Sequence, residues 1–267
     1  MFASHWGLRE SPFRTCLDPQ RFYQSPTHEE ALARLHFLVE QRRRLGVLIG
    51  PAGSGKSLLL EVFGQQLRQN ARPVAKLNLL GLEPTEMLCL LGAQFGLSLE
   101  PSASRAVLWR ALCDRLTEYR YQQLETVILL DEADQAGKQV LTEVARLAHH
   151  DPSPESRLTL VLAARPDRVG RLGQQLLDLA ELRIDVEPWE RGDTADFLQR
   201  SLSQAGCQSP LFADPAVARL HELAHGIPRR VSQLADLALL AGAGRELPQI
   251  DAEVVESVYR ELAIVEV

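Results

Sequence analysis

Apolar runs of strand length alternate with helical patterns through the first two thirds of the chain. Four such runs and a weaker fifth lie at residues 47–49, 74–79, 126–130, 158–163 and 184–186. Between them, the 3.6-residue period predicts helices at residues 57–69, 85–95, 105–119 and 138–149. Because the runs are almost continuously apolar, they predict an α/β fold, a parallel sheet with helices on both faces.

A further helix is expected ahead of the first strand. Thr27 and Glu30 have the spacing of a capping box, and the apolar face that follows predicts a helix over residues 28–45, which Gly46 closes. The arginines at 42–44 would then lie in the last turn, where positive charge complements the helix dipole.

The character of the chain changes after Pro188, where only helical patterns remain. Helix start signals occur at Asp193, at Asp214, at Pro228 and at Asp251. These signals predict a small all-α domain. We therefore expect three parts: an N-terminal segment and helix that packs on the core (1–46), the α/β core (47–187) and a helical lid domain (188–267).

The composition is that of a globular chain of 267 residues, of which 45% are hydrophobic and 24% charged. The net charge of −6 provides no global attraction to nucleic acid, so any contact with DNA has to be local. Four widely separated cysteines without a C-x-x-C pair fit a reduced compartment and no zinc site. The sequence contains neither a signal-peptide pattern nor a membrane-spanning run, so we expect a cytoplasmic protein.

The strongest chemical signal follows the first strand. Residues 50–57 (GPAGSGKS) match G-x-x-x-x-G-K-[ST] in full, between a predicted strand and a predicted helix. In such a loop, backbone N–H groups wrap a phosphate, Lys56 reaches the β- and γ-phosphates, and the Ser57 hydroxyl ligates Mg²⁺. This pattern predicts a site for ATP and Mg²⁺. The expected nucleotide contacts are Gly50, Pro51, Ala52, Gly53, Ser54, Gly55, Lys56, Ser57, Leu58 and Asp131.

Two acids end the third strand. Asp131 and Ser57 are expected to hold Mg²⁺ together. Asp131 would do so through the water shell of the ion. Glu132 is then placed to polarise the attacking water, and with Lys56 it would make the site an ATP hydrolase.

Arginines add catalytic candidates. Arg165 follows the fourth strand, where it would either contact phosphate and report its loss or lie on the surface. Arg229 and Arg230 begin a helix of the lid domain, from which they would either reach the nucleotide or form a basic helix start at the surface.

The order of phosphate loop, Asp-Glu strand, sensor strand and helical lid resembles the AAA+ ATPases. Residues 7–13 (GLRESPF), 22–32 (FYQSPTHEEAL) and 226–231 (GIPRRV) resemble one branch, the secretion ATPases of the GspA/ExeA type, which are related to transposition helpers such as TniB. The resemblance implies that Arg229 is the sensor arginine of the lid. It also implies that the segment around Phe13 and His28 lies near the adenine; the alternative is that Phe13, Phe22 and Tyr23 pack over the sheet edge.

The resemblance further implies homo-oligomeric rings or filaments in which an arginine acts on the neighbouring subunit's nucleotide. Arg183, just before the fifth strand, is the candidate, and Arg171 is the reserve. Arg165 departs from the glutamine or asparagine that relatives often carry there, so hydrolysis is expected to be slow or stimulated. Full-length relatives continue into a membrane span and a peptidoglycan-binding region, so their anchoring role is not carried over.

Three functions remain open at this point. The first is an ATP-hydrolysing switch or motor that acts on a partner protein or assembly. The second is an ATP-dependent DNA-binding regulator of the transposition-helper kind, for which the arginines at 42–44 and at 229–230 are the supporting features. The third is a nucleotide-gated scaffold with little hydrolysis.

Overall fold

The computed structural model describes residues 2–14, 16–100 and 102–263. Contacts divide the chain into two units. The helical unit comprises Met1–Thr27, Ala52–Gly55 and Glu187–Val267, and the sheet unit comprises His28–Pro51 and Lys56–Val186. The three-part division into domains expected from the sequence stays a prediction.

The sheet unit contains, in its described residues, one parallel sheet with the strand order β2-β3-β4-β1-β5. The strands are β1 Leu45–Ile49, β2 Val74–Asn78, β3 Thr126–Asp131, β4 Leu158–Ala164 and β5 Leu182–Asp185. The predicted parallel sheet is confirmed, and all five strands lie within two residues of their predicted bounds. The fifth begins two residues earlier than predicted, so Arg183 lies inside β5 and not before it.

The helices of the described residues agree closely with the predicted ones in the core and after Pro188. They are α1 Phe2–His5, α2 Pro26–Glu40, α3 Lys56–Gln69, α4 Pro84–Gln94, α5 Arg105–Tyr121, α6 Lys138–Ala148, α7 Gln174–Leu179, α8 Arg191–Gln204, α9 Asp214–Ala224, α10 Pro228–Gly244 and α11 Ala252–Ala263. None of the helices in the described ranges combines the length and the apolar character needed to cross a membrane.

Helices cover both faces of the sheet. Leu45, Val47 and Ile49 of β1 join the hydrophobic cluster that contains residues of α4, α5 and α6. On the opposite face, Gly46 lies against Leu38 of α2. Since successive side chains of a strand point to opposite faces, this arrangement explains why every residue of β1, β3 and β4 is buried.

The connection from α2 to β1 differs from its prediction. The helix begins at Pro26 and ends at Glu40, so the capping box at Thr27 and the extension to residue 45 are both wrong. Arg42 carries the left-handed turn with a φ of 52°. Gly46 belongs to β1, where a Cβ would lie 2.7 Å from Cδ2 of Leu38, so the glycine is needed for the close approach of helix and strand.

The helical unit has its own core, which the N-terminal segment helps to form. Trp6 donates a hydrogen bond from Nε1 to the carbonyl oxygen of Leu239 in α10 at 2.9 Å. The ring centroid of Phe13 lies 5.9 Å from that of Phe197 in α8, and Tyr23 also contacts Phe197 at 5.8 Å. The alternative that Phe13 and Tyr23 pack over the sheet edge is therefore wrong for these two residues.

Candidate functional site

Two glycines of the phosphate loop have backbone conformations that other residues rarely adopt. The φ angles of Gly53 and Gly55 are +83° and +96°. A side chain at either position would be strained, because L-residues clash in this region. The loop ends where α3 begins at Lys56, so its N–H groups precede a helix N-terminus that carries partial positive charge.

Gly53 also approaches the start of α10 within the helical unit. A Cβ at Gly53 would lie 2.9 Å from Cβ of Arg229 and 3.1 Å from Cγ2 of Ile227. The backbone N–H of Arg229 donates to the carbonyl oxygen of Gly53 at 3.2 Å. The structure therefore brings two of the predicted site residues, Gly53 and Arg229, into direct contact, and the side chain of Arg229 is exposed there.

Lys56 is held by the loop that precedes it. Its Nζ donates to the carbonyl oxygens of Gly50 at 2.6 Å and Pro51 at 3.0 Å. These contacts keep the positive charge of the ammonium group beside the loop.

Asp131 and Glu132 lie at the carboxyl end of β3. Asp131 is only 4% exposed, and its Oδ1 accepts a hydrogen bond from the backbone N–H of Glu132 at 2.9 Å. Glu132 has the left-handed conformation, with φ 50° and ψ 37°. Asn78, the last residue of β2, donates from Nδ2 to Oε2 of Glu132 at 3.1 Å.

The strand order brings the sheet-unit residues of the site to one edge. β4 lies between β3 and β1, so Arg165 follows the strand that separates Asp131 from the phosphate loop. The N–H of Gly50 donates to the carbonyl oxygen of Ala164 at 3.3 Å, which fixes the start of the loop against β4. Ligands bind at this edge in open α/β sheets, the carboxyl ends of parallel strands.

Arg165 lies between two acids. Its Nε is 3.6 Å from Oδ2 of Asp134, and its Nη2 is 3.7 Å from Oδ2 of Asp167. These separations are longer than a hydrogen bond. Within the described residues, Nε and Nη2 of Arg165 are buried without a hydrogen-bond acceptor, as is Oδ2 of Asp134 without a donor. Both nitrogens are therefore held at ion-pair distance from a carboxylate without forming a hydrogen bond.

The two candidates for an arginine acting between subunits have different surroundings. Arg183 is exposed and forms a bidentate pair with Asp185, in which Nη2 lies 2.8 Å from Oδ1. The hydrogen bonds to Asp185 raise the pKa of Arg183 above its ordinary value. Arg171 is exposed in the 3-10 helix Pro166–Leu172 and forms no ion pair within the described residues.

Two residues that support the site carry no local sequence motif. Asn78 contacts Glu132, and Lys76, on the same strand, donates from Nζ to the carbonyl oxygen of Ser57 at 3.1 Å and to Oε2 of Glu61 at 2.7 Å. Lys76 thereby holds the first turn of α3, which carries Ser57. Their signal in the sequence is only two polar residues at the carboxyl end of an otherwise apolar strand.

The residues present fit a nucleotide-bound Mg²⁺ ion better than an all-protein metal site. No group of three or more potential metal ligands among histidine, cysteine, aspartate and glutamate occurs in the described residues. Mg²⁺ characteristically uses one or two protein oxygens together with waters and substrate phosphates. The buried carboxylate of Asp131 and the Ser57 hydroxyl are oxygen donors of this kind.

The chain belongs to the family described as AAA domain, which matches residues 39–172, half of its length. It is 29% identical to general secretion pathway protein A of Aeromonas hydrophila over 249 residues, 92% of this chain. The predicted resemblance to a GspA-type AAA+ ATPase is thereby confirmed. The chain spans 45% of the length of that relative.

Solved structures show the same fold. The ORC2 protein of Aeropyrum pernix, described in ADPNP-ADP complexes, is 16% identical with a TM-score of 0.68, covering 94% of this chain and 71% of that one. The ORC1 protein of the same organism, described in complex with DNA, is 17% identical with a TM-score of 0.67, covering 91% of this chain and 67% of that one. These similarities confirm the predicted α/β fold of the AAA+ class.

Proposed function

We propose that this protein binds ATP with Mg²⁺ and hydrolyses it. The observation that carries the proposal is the arrangement of Lys56 after β1 and the Asp131–Glu132 pair after β3, at the same edge of one parallel sheet. A phosphate loop alone holds a nucleotide. The added carboxylate of Glu132, fixed by Asn78, provides a base for water and so favours hydrolysis over simple binding.

Each residue of the candidate site has a definite task in this proposal. The loop N–H groups and the Lys56 ammonium bind phosphate oxygens, and Ser57 and Asp131 hold Mg²⁺, Asp131 through water. When bound there, Mg²⁺ would neutralise negative charge on the phosphates. Glu132 accepts a proton from the attacking water, and the guanidinium group of Arg165, which follows β4 at the same edge, contacts the departing phosphate.

We further propose that ATP turnover drives a switch in a cytoplasmic homo-oligomer that acts on a partner protein or assembly. Arg229 is the lid residue that responds to the nucleotide, which its backbone contact with Gly53 supports. Arg183 or Arg171 acts on the neighbouring subunit's nucleotide. A site completed by a residue of the neighbouring chain is a composite site, and its chains depend on each other for hydrolysis. Binding of ATP to one chain therefore affects the other chains of the assembly.

The test uses purified protein in a concentration series. Lys56→Ala is expected to abolish ATP binding, and Glu132→Gln is expected to retain binding with turnover reduced at least about a hundredfold. Composite sites predict that turnover per chain rises with protein concentration. Normal turnover by Glu132→Gln would overturn the assignment of the base. Tight ATP binding with wild-type turnover as low as that of Glu132→Gln would favour the nucleotide-gated scaffold.

The second candidate is an ATP-dependent DNA-binding regulator. Arg229 and Arg230 are both exposed at the start of α10, where their positive charge opposes the helix dipole. The same ATPase assay with duplex DNA separates the two functions. DNA stimulation together with a steep loss of binding as salt rises would favour the regulator, whereas no binding at low salt would eliminate it.

A further inference from the structure

A cavity of about 110 Å³, lined by both polar and apolar residues, lies in the sheet unit away from the phosphate loop. Its lining includes Thr126 and Leu158, the first residues of β3 and β4. Asp131 ends β3 five residues later, and at about 3.3 Å per residue the two ends of the strand lie roughly 16 Å apart. The cavity is therefore at the opposite edge of the sheet from the candidate ATP site.

The charged groups that line the cavity are unbalanced. Arg120 donates from Nη1 to Oδ2 of Asp151 at 3.0 Å, which pairs one positive with one negative group. Burial acts to raise the pKa of Asp151, but hydrogen bonds from Ser153 and Arg120 outweigh it and hold the pKa below its ordinary value, so the carboxylate is ionised. The other lining arginine, Arg157, has no lining acid as its partner.

The carboxylate that Arg157 does contact is shared among three arginines. Glu125 lies 3.6 Å from Arg157, 3.0 Å from Arg72 and 3.9 Å from Arg42. Each arginine comes from the segment that leads into a different strand. Arg157 therefore shares its one acidic contact with two other arginines, so its positive charge is not fully neutralised by Glu125.

The remaining polar lining groups complement an anion. Thr126 and Ser156, two hydroxyl-bearing residues, belong to the lining, and Thr126 is only 3% exposed. The backbone N–H of Thr126 donates to the carbonyl oxygen of Arg157 at 2.8 Å, which fixes these two lining residues against each other. His150 also lines the cavity, and burial lowers its pKa, so the ring is a neutral hydrogen-bonding group at pH 7.

We propose that this cavity binds a phosphate group, with Arg157, Arg120 and the Thr126 hydroxyl as its main donors. An apolar cavity of about 150 Å³ holds benzene, so a volume of about 110 Å³ has room for a tetrahedral oxyanion. Arginine pairs with phosphate through several N–H donors at once. The phosphate is either free inorganic phosphate or a phosphate group of a nucleic acid. The proposal does not depend on ATP hydrolysis.

The test follows backbone amide signals by nuclear magnetic resonance while inorganic phosphate is added at constant ionic strength. Amide resolution separates this cavity from the phosphate loop, which also binds phosphate. We expect saturable shifts at Thr126, Arg157 and Leu158. Arg157→Gln should weaken this binding about tenfold or more, because it removes a charged donor. Thr126→Val should weaken it about threefold without changing any charge.

Arg43→Gln is the matched control, because Arg43 lies near the same sheet edge and pairs with Glu181 but does not line the cavity. Arg43→Gln should change the affinity for phosphate less than about twofold if specific hydrogen-bond donors hold the anion. A larger change is expected if the overall positive charge of this region holds it. Equal loss in Arg43→Gln, equal shifts with chloride, or no saturable shift at these amides would each overturn the proposal.

A short single-stranded oligonucleotide distinguishes the two sources of phosphate. If the oligonucleotide shifts the same amides at a lower concentration of phosphate groups than inorganic phosphate needs, the site is assigned to nucleic acid. Shifts with inorganic phosphate alone would assign it to a small free oxyanion. Either result supports the site, and a folded Thr126→Val protein with unchanged affinity would remove the Thr126 hydroxyl from it.

Discussion

Asn78 donates a hydrogen bond from Nδ2 to Oε2 of Glu132 at 3.1 Å. The register of the sheet brings them together, because Asn78 pairs with Asp131, the residue before Glu132. The Asn78 side chain also accepts the N–H of Leu80 at its Oδ1, so the amide is held at both ends. Glu132 is thus oriented from a neighbouring strand.

Removing this amide should impair turnover without affecting nucleotide binding. In Asn78→Ala we expect kcat for ATP hydrolysis to fall about tenfold, because the carboxylate loses the group that orients it towards water. The Kd for ATP should stay within about twofold of the wild type, since the side-chain hydrogen bonds of Asn78 go to Glu132 and Leu80 and not to the phosphate loop, as far as the described residues show. Asn70→Ala, at an exposed position after α3, is the control. Unchanged kcat would contradict a positioning role for Asn78.

Mixing variants should identify the arginine that acts between subunits. Arg183 would have to leave Asp185 in order to reach a neighbour, whereas Arg171 has no competing ion pair within the described residues. We therefore expect Arg171→Ala to lose turnover and Arg183→Ala to retain most of it. Adding the Lys56→Ala protein to Arg171→Ala should restore part of the turnover, because each chain then supplies what the other lacks. Recovery with Arg183→Ala instead would reverse this choice.

A single methyl group at Gly226 should destabilise the helical unit. Gly226 has a φ of +65°, and a Cβ there would lie 2.3 Å from the backbone oxygen of Trp189. The free energy of unfolding of Gly226→Ala should fall by about 3 kcal/mol, from backbone strain and the clash together. Gly244→Ala, at the end of α10 with open space around it, should change it by less than about 1 kcal/mol. Denaturant titration measures both values.

Acidification should destabilise the fold through His150. Burial lowers the pKa of His150 below its ordinary 6.5, with Arg120 adding to the effect and Asp151 opposing it. The unfolded chain therefore binds the proton more readily, and stability is lost as the pH falls from about 6.5 towards the lower folded pKa. His150→Gln should reduce the pH dependence of the thermal unfolding midpoint over this window, measured in a phosphate-free buffer. His149→Gln, at the exposed neighbouring position, should not.

The elements of the sheet and of the helices after Pro188 could be predicted because their signals are local. Buried parallel strands require continuous apolar runs, and helices require an apolar face with suitable ends. The phosphate loop and the Asp131–Glu132 pair were found for the same reason, since each chemistry needs adjacent residues. Their assigned roles in binding and catalysis remain predictions.

The features that the sequence left open depend on contacts between distant segments. Gly46 fits both a helix end and a glycine-requiring strand position, and only the approach of Leu38 decides between them. Asn78 contacts Glu132 only because of the register of β2 with β3, which the sequence does not show. The arginines around Glu125 come from three separate segments, so no window along the chain contains them together.

The left-handed backbone of Glu132 has a consequence for the balance between durability and chemistry. Along β3, successive side chains alternate between the two faces of the sheet, and the turn at Glu132 interrupts that alternation directly after Asp131. Holding a non-glycine residue in this conformation costs about 1 kcal/mol or more. Glu132→Gly should therefore be inactive and yet have a melting temperature no lower than that of the wild type. This result would show that Glu132 serves the chemistry at a cost in thermal stability.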